Sequence, residues 1–400
     1  DLHSLRRRQR QMCIRDRPAI LGDSAQKYMF ILEDVKSNPA GLLKASNTEY
    51  IFSRRHDETL NPIGKNITKE CLANAQQIAQ KFAALYLCQD GLPIEKSSLY
   101  LFKVDGIIAH EYQNRDNRML YTLCVPGGYY WSNENSRVNW TSDAADKASA
   151  SIKGYSPANG SGYANQKWAA ERKVQTNSEG YDYPVIRYAE VLLNYVEARY
   201  EIAQVGGNAF TQSDLDKSIN ELRDRQLTKW GDTEAKTMPK VQLNGGNLSV
   251  NGVVINDPAR DPDVNPVLWE IRRERRIELI MEGRRGEDLR RWAKFEYLNS
   301  EDANGYPAMS FLGAYVNMAD YPEISSKDDS GKRVLYLFDP ENPGNEDTEK
   351  GYIYYLREKE LRIFKAGELN SERYYLRAIP AAQLTIYENK GQVLTQNPGW

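Results

Sequence analysis

The chain reads as a mainly α protein with long irregular loops and few short strands. Three observations predict this. Residues 268–292 are densely charged and spaced for a helix. Residues 184–222 carry two amphipathic stripes. Residues 127–182 show almost no periodicity. A loop that long inside a compact domain usually carries function, so helices are expected to form the scaffold and loops the working surface.

Composition narrows the function classes. At 400 residues the chain can bury a large core. Its 53 basic and 55 acidic residues leave a net charge of −2, which gives no pull towards nucleic acid or an anionic membrane. No stretch approaches the roughly 20 apolar residues of a membrane span. The four cysteines, Cys13, Cys71, Cys88 and Cys124, form no CxxC, and spacing does not choose among their three pairings. With three histidines in all, a His-built metal site is not expected, and no cofactor is implied.

Residues 1–17 are Arg-rich with almost nothing apolar to pack, and no apolar run of the signal-peptide kind follows them. They read as a non-native or disordered arm, whose removal should leave the melting temperature unchanged. Residues 23–36 predict a helix, through Ala25, Tyr28, Met29, Ile31, Leu32 and Val35. Glu49–Phe52 predicts a short strand. Residues 71–88 predict a helix, with Ala75, Ala79, Phe82 and Tyr86 spaced 4, 3 and 4. Met119–Val125 is an apolar run of strand length. Residues 184–204 predict a clean amphipathic helix, with Pro184 in its first turn. Leu215, Ile219 and Leu222 mark the next helix, after a Gly206-Gly207 break. Together they resemble one tetratricopeptide-type hairpin, without a 34-residue repeat around it. Val241–Val254 predicts a small hairpin, and Asn256–Asp263 an acidic turn rather than a calcium site. Residues 299–350 look loop-like. Arg373–Pro380 looks strand-like, with a short helix after it to Asn389.

The charged stretch predicts one helix, an interruption at Gly283 and Gly286, and a second short helix from Glu287 that carries Leu289 and Trp292 inward. From Glu270 to Arg291 it holds eight arginines and six acids, 8 − 6 = +2. Pairs three or four apart (Glu270 with Arg273, Arg275 with Glu278, Glu287 with Arg290 and Arg291) would support a helix by about 0.2–0.5 kcal/mol each. The interleaved acids argue against phosphate binding. The stretch is expected to be structural and to touch no ligand.

Four motifs in order resemble the SusD/RagB family of surface nutrient-binding lipoproteins. They are Tyr112-Gln113-Asn114-Arg115-Asp116-Asn117-Arg118, with Asn117 where the family has proline; Tyr183 to Ala198; the charged stretch, through Glu274, Arg275, Glu278, Glu282, Gly283, Arg285, Asp288, Arg291 and Trp292; and Tyr375–Pro380 with the terminal Gln396–Trp400. The resemblance covers roughly residues 46–400 and makes residues 18–400 a single domain lacking the family's N-terminal part. It implies a tetratricopeptide-like helix-pair scaffold (a SusD-like α-α superhelix) and a surface-exposed place at the outer membrane of a Bacteroidetes-type bacterium. The implied partner is a SusC-like TonB-dependent porin, and the lipid anchor is absent from this chain. Cys13 follows Arg10-Gln11-Met12, which is not a lipobox, and takes no such role.

Function then divides into three readings. The favoured one is a non-catalytic glycan-binding protein, with peptides or another nutrient as the alternative ligand. Flat rings beside Asn and Asp suit sugars, since a pyranose face stacks on a ring while amides and carboxylates take its hydroxyls. The candidate ligand-binding residues are Tyr130, Trp131, Trp140 and Tyr155, set against the plainer reading that such rings anchor the loop to the core. An enzyme is not expected: Asp143/Asp146 and Asp261/Asp263 are carboxylate pairs, but no GxSxG, HExxH, Walker A or GxGxxG accompanies them. A plain helical-repeat scaffold leaves the aromatic loops unexplained. Arg115, Asp116, Arg187, Glu190, Arg275 and Glu278 are read as structural.

Overall fold

Helix Pro266–Glu278, the central helix, starts where the sequence places its signals. Asn265 caps it by accepting from the Val267 N–H at 2.9 Å, and Pro266 occupies the first turn, where no N–H is needed. Its Val267 and Ile271 enter one hydrophobic cluster with Val196, Tyr200, Leu215, Ile219, Leu248 and Val250. Its Ile277 enters another with Phe82, Tyr86, Tyr112, Met119, Leu123, Tyr163, Val316 and Ile353. The second short helix runs Arg285–Arg291 and buries Leu289, with Trp292 buried just after it. The computed structural model describes residues 19–35, 37–72, 78–102, 108–125, 129–131, 137–139, 160–163, 165–170, 177–228, 237–320, 325–355 and 372–400. The expected arm at 1–17 lies outside them.

The described structure is mostly helical, with short strands in small separate sheets. The long helix Tyr188–Gln204 buries Ala189, Leu192, Leu193, Val196 and Tyr200. Gln212–Asp216 and Ile219–Arg223 pack back on it. One helix had been expected there. The break falls at Ser218, whose Oγ donates to the Asp214 carbonyl at 2.5 Å and whose backbone leaves the helical region.

Other expectations change as well. Tyr183–Arg187 is a strand rather than the first turn of the long helix, and it pairs antiparallel with Tyr50–Arg54. A two-stranded ribbon tolerates Pro184, and the Glu49 carboxylate caps the helix that follows by accepting from Ala189 N–H at 3.0 Å. The strand-like Met119–Val125 run is helical up to Thr122: Asp116 accepts from Arg118 N–H at 2.9 Å and starts helix Asn117–Thr122. Near the N-terminus, helix Ala25–Tyr28 stops early because Met29, Phe30, Ile31 and Leu32 are all buried, which no one-sided helix allows.

Elsewhere, helix survives at Ile67–Leu72 and Gln80–Ala83, with 73–77 outside the described residues. Gln242–Asn244, Asn247–Val250 and Val253–Val254 form a meander. Its two-residue turns, Gly245-Gly246 and Asn251-Gly252, all take positive φ, as twist-matched hairpins require. The loop-like 299–350 region contains a small sheet in which Lys350–Ile353 lies between Tyr315–Asn317 and Leu337–Phe338. Arg373–Pro380 is not a strand. Side chains from the C-terminus satisfy its backbone instead: Gln396 brackets Ile379 N–H and C=O, Asn397 reaches the Arg377 carbonyl and the Trp400 indole reaches Leu376.

Candidate functional site

The charged residues of the first three motifs converge in one buried ion network. Arg187 reaches Glu49 at 3.0 Å, Glu278 at 2.8 Å and Glu282 at 2.7 Å. Arg118 reaches Asp116 at 2.6 Å, Glu274 at 2.8 Å and Glu278 at 3.0 Å. Arg223 binds Glu270 and Glu274, Arg225 binds Glu278, Lys167 binds Glu282, and Arg273 binds Glu270. These cations and carboxylates are equal in number, so the network is neutral. Burial alone would raise the Glu274 carboxyl, but Arg118, Arg223 and Arg273 hold it at about 2. Glu278 is likewise held well below the usual carboxylate range, against burial, by Arg225, Arg187 and Arg118.

Arg275 takes Asp288 at 2.8 Å instead of the expected Glu278, and Arg291 takes Glu197 and Asp288 instead of Glu287. Of the expected pairs, Glu270–Arg273 and Glu287–Arg290 form, and Asp288–Arg291 adds a further contact at helix spacing. Asp261 is engaged by Lys294 at 2.9 Å and by the Tyr297 hydroxyl, so the acidic turn acts as a turn. Among the described residues no group of three or more His, Cys, Asp or Glu side chains is placed to hold a metal.

A cleft of about 860 Å³ is lined by aromatic rings. Arg115, fully buried, donates to the Ala83 and Tyr86 carbonyls at 2.9 and 2.7 Å, and its guanidinium lies 5.1 Å from the Tyr100 ring. Asn114 donates to the Leu99 carbonyl at 3.3 Å. The first motif thereby fixes the segment that carries Tyr100 and Phe102. Tyr315 and Tyr352 are direct cross-strand partners, with ring centroids 5.2 Å apart. Phe102 lies 6.1 Å from both Tyr100 and Tyr315, so the four rings form one continuous wall. Trp269 from the central helix joins the lining, its indole N–H donating to Asp257 at 2.7 Å.

Polar groups complete the cleft: Gln80, Lys81, Glu95, Glu111, Arg276 and Asp302. Glu111 is buried. Its Oε1 accepts from the Tyr163 hydroxyl at 2.6 Å, and its Oε2 has no hydrogen-bond partner among the described residues. Burial lifts its carboxyl to about 6, against the lowering pull of Tyr163 and Arg115. Stacking rings beside a few placed polar groups is an arrangement suited to a polyhydroxylated ligand.

Tyr130 and Trp131 lie on strand Tyr129–Trp131, opposite Val138 and Arg137. Trp140 and Tyr155 lie outside the described residues. Tyr163 and Trp168 are core anchors; Trp168 stacks with Tyr181 and Tyr183 and donates to the Met281 carbonyl. The charged stretch, expected to touch no ligand, contributes Trp269 and Arg276 to the cleft.

A model of the SusD family matches residues 44–400. The chain belongs to the SusD family. No curated protein matches this SusD-family chain. Among solved structures it is similar to a SusD-like carbohydrate binding protein from Bacteroides fragilis NCTC 9343 (22% identity, TM-score 0.45, 86% of this chain and 58% of that one). It is also similar to a SusD-like protein from the same organism (17% identity, TM-score 0.47, 95% of this chain and 57% of that one). The chain thus spans less than two thirds of the length of both.

Proposed function

We propose that this chain is a non-catalytic, surface-exposed glycan-binding protein that delivers oligosaccharide to a SusC-like TonB-dependent outer-membrane transporter. The observation that carries the reading is the ring wall Tyr100–Phe102–Tyr315–Tyr352 beside Trp269 and a handful of polar groups. Family membership supports it. In this reading the packing of Tyr188–Gln204 with the two helices after it is one pair of a tetratricopeptide-like superhelix, and a lipid anchor tethers the protein to the outer membrane. Tyr130, Trp131, Trp140 and Tyr155 extend the ligand surface.

Titration calorimetry across a panel of oligosaccharides tests the proposal. A stacked ring contributes about 1 kcal/mol, so Tyr315→Ala with Tyr352→Ala should weaken a binding glycan roughly thirtyfold. Absence of binding across the panel sinks the reading. Release of reducing sugar by the purified chain would replace it with an enzyme.

A further inference from the structure

Most buried cations of the central helix are paired with carboxylates, but one face of it is different. Trp269, Arg272 and Arg276 stand at i, i+3 and i+7, on the same side. Lys81 and Arg285 join them from neighbouring segments. Neither Arg272, Arg276, Arg285 nor Lys81 makes an ion pair or hydrogen bond among the described residues. They rest against rings instead: Arg276 is 5.4 Å from Phe82, Arg272 is 4.6 Å from Trp292, and Lys81 is 5.4 Å from Tyr297. The Arg272 Nε is buried and unpartnered.

The nearest carboxylates are already engaged. Asp261 is held by Lys294 and Tyr297, Asp288 by Arg275 and Arg291, and Glu197 by Arg291 and Trp292. Within the cleft, Asp257 is bound by Ala259 N–H and the Trp269 indole, Asp302 caps its own turn, Glu111 accepts from the Tyr163 hydroxyl, and Glu95 has an interaction of its own. Burial, then repulsion from Arg285, pushes the Arg276 guanidinium well down. Burial, then Arg276 and Arg285, push the Lys81 ammonium down as well, against the weaker pull of Asp261. Two of these cations, Lys81 and Arg276, face the same cleft as the ring wall. Half-buried cations lacking a counter-charge raise the energy of the empty protein, and an entering anion reverses that cost.

We propose that the Lys81–Arg276 end of the cleft is a subsite for an anionic substituent, carboxylate or sulfate, of an acidic oligosaccharide whose sugar rings stack on the aromatic wall. The proposal rests on the glycan-binding reading and narrows it to acidic sugars. A guanidinium presents a planar fork to either anion, and Lys81 adds a second positive charge.

Calorimetry on the whole 400-residue chain decides it, with oligogalacturonate as the carboxylate probe, carrageenan oligosaccharides as the sulfate probe and maltooligosaccharides as the neutral one. At least one acidic probe should bind more tightly than the neutral one, and more weakly at 500 mM than at 50 mM NaCl. Lys81→Met with Arg276→Gln should weaken that binding at least tenfold. The double variant should melt no lower than the parent, because it removes repulsion rather than a pair. Neutral glycan bound in preference to both acidic probes would overturn this inference and leave the glycan reading standing. Acidic binding within twofold of the parent in the double variant would do the same. Should no saccharide bind, the glycan reading fails, and a thermal melt in sodium sulfate against sodium chloride of equal ionic strength judges the anion site alone. A sulfate gain present in the parent and absent from the double variant keeps the site; an equal gain in both removes it.

Discussion

Glu278 sits where Arg118, Arg187 and Arg225 meet, and its side chain is fully buried. Replacing it with Ala leaves those guanidiniums short of a counter-charge, and breaking such a buried pair costs about 3–5 kcal/mol. Urea unfolding of Glu278→Ala should show a loss of that size. Arg275→Ala removes the buried partner of Asp288 and leaves it only the more exposed Arg291, so stability should fall while glycan affinity stays within about twofold; a larger change in affinity than in stability would contradict its structural role. Glu111 behaves oppositely. Its carboxyl stands at about 6 in the fold against the usual 4.5, so the folded state holds the proton more tightly. The stability this contributes is complete below about pH 4.5 and lost as pH rises through 6. Glu111→Gln should therefore stabilise the protein at pH 7.5 by up to about 2 kcal/mol, a gain that shrinks towards pH 5 in urea titrations. At this scale the sequence was partly legible. The motif residues Arg115, Arg187 and Glu278 do act structurally, but helix spacing pointed Arg275 at Glu278, whereas burial gave both residues partners from distant segments. A finer signal went unread: Arg272 and Arg276 have no acid three or four residues away on either side, and both are left unpaired among the described residues; Arg285, unpaired despite Glu282 and Asp288 at that spacing, shows the limit of the signal.

Strands and helices depend on contacts that periodicity does not report. The Tyr183–Arg187 segment carries helix-like spacing, yet pairing with Tyr50–Arg54 and the pull of Arg187 into the network keep it extended. The Met119–Val125 run is apolar enough for a strand, but the Asp116 cap turns it into a helix. The strand bearing Tyr315 depends on a close approach just before it. Gly313 donates to the Ile353 carbonyl at 2.7 Å, and a Cβ on it would lie 2.0 Å from the Ser161 carbonyl oxygen. Backbone cannot swing aside as a side-chain tip can. Gly313→Ala should cost about 1–3 kcal/mol, lower the melting temperature by several degrees and weaken glycan binding with it, because Tyr315 and Tyr352 move together. Unchanged melting would show that the two segments separate freely.

Over the whole molecule, the carboxylates of the network set the response to acid. Glu274 is held at about 2 and Glu278 lower than usual, both below their unfolded values. The stability they contribute is complete above about pH 4.5 and lost as pH falls towards 2. Melting temperature should drop steeply between pH 5 and pH 3, and a flat profile would mean that the network is less charged than its geometry requires. The helical scaffold and the small meander at 242–254 were readable in the sequence because they leave local marks: stripes, caps and glycine turns. The cleft left none. Its wall is assembled from residues near 100, 269, 315 and 352, each unremarkable within its own segment, and only tertiary packing brings them together.

The neutrality of the buried network reaches beyond stability. Arg118 and Glu278 are 160 positions apart in the chain, and Arg187 and Glu49 are 138 apart. A charge lost at one of these positions is tolerated only when an opposite charge is lost on another segment, so the positions cannot drift independently. Among descendants of this sequence they should change in matched pairs or not at all, while the ring-bearing loops vary one residue at a time. The fold thereby separates two rates of divergence within one chain: a slow, coupled interior that preserves the scaffold, and a fast, uncoupled rim on which new ligands can be tried.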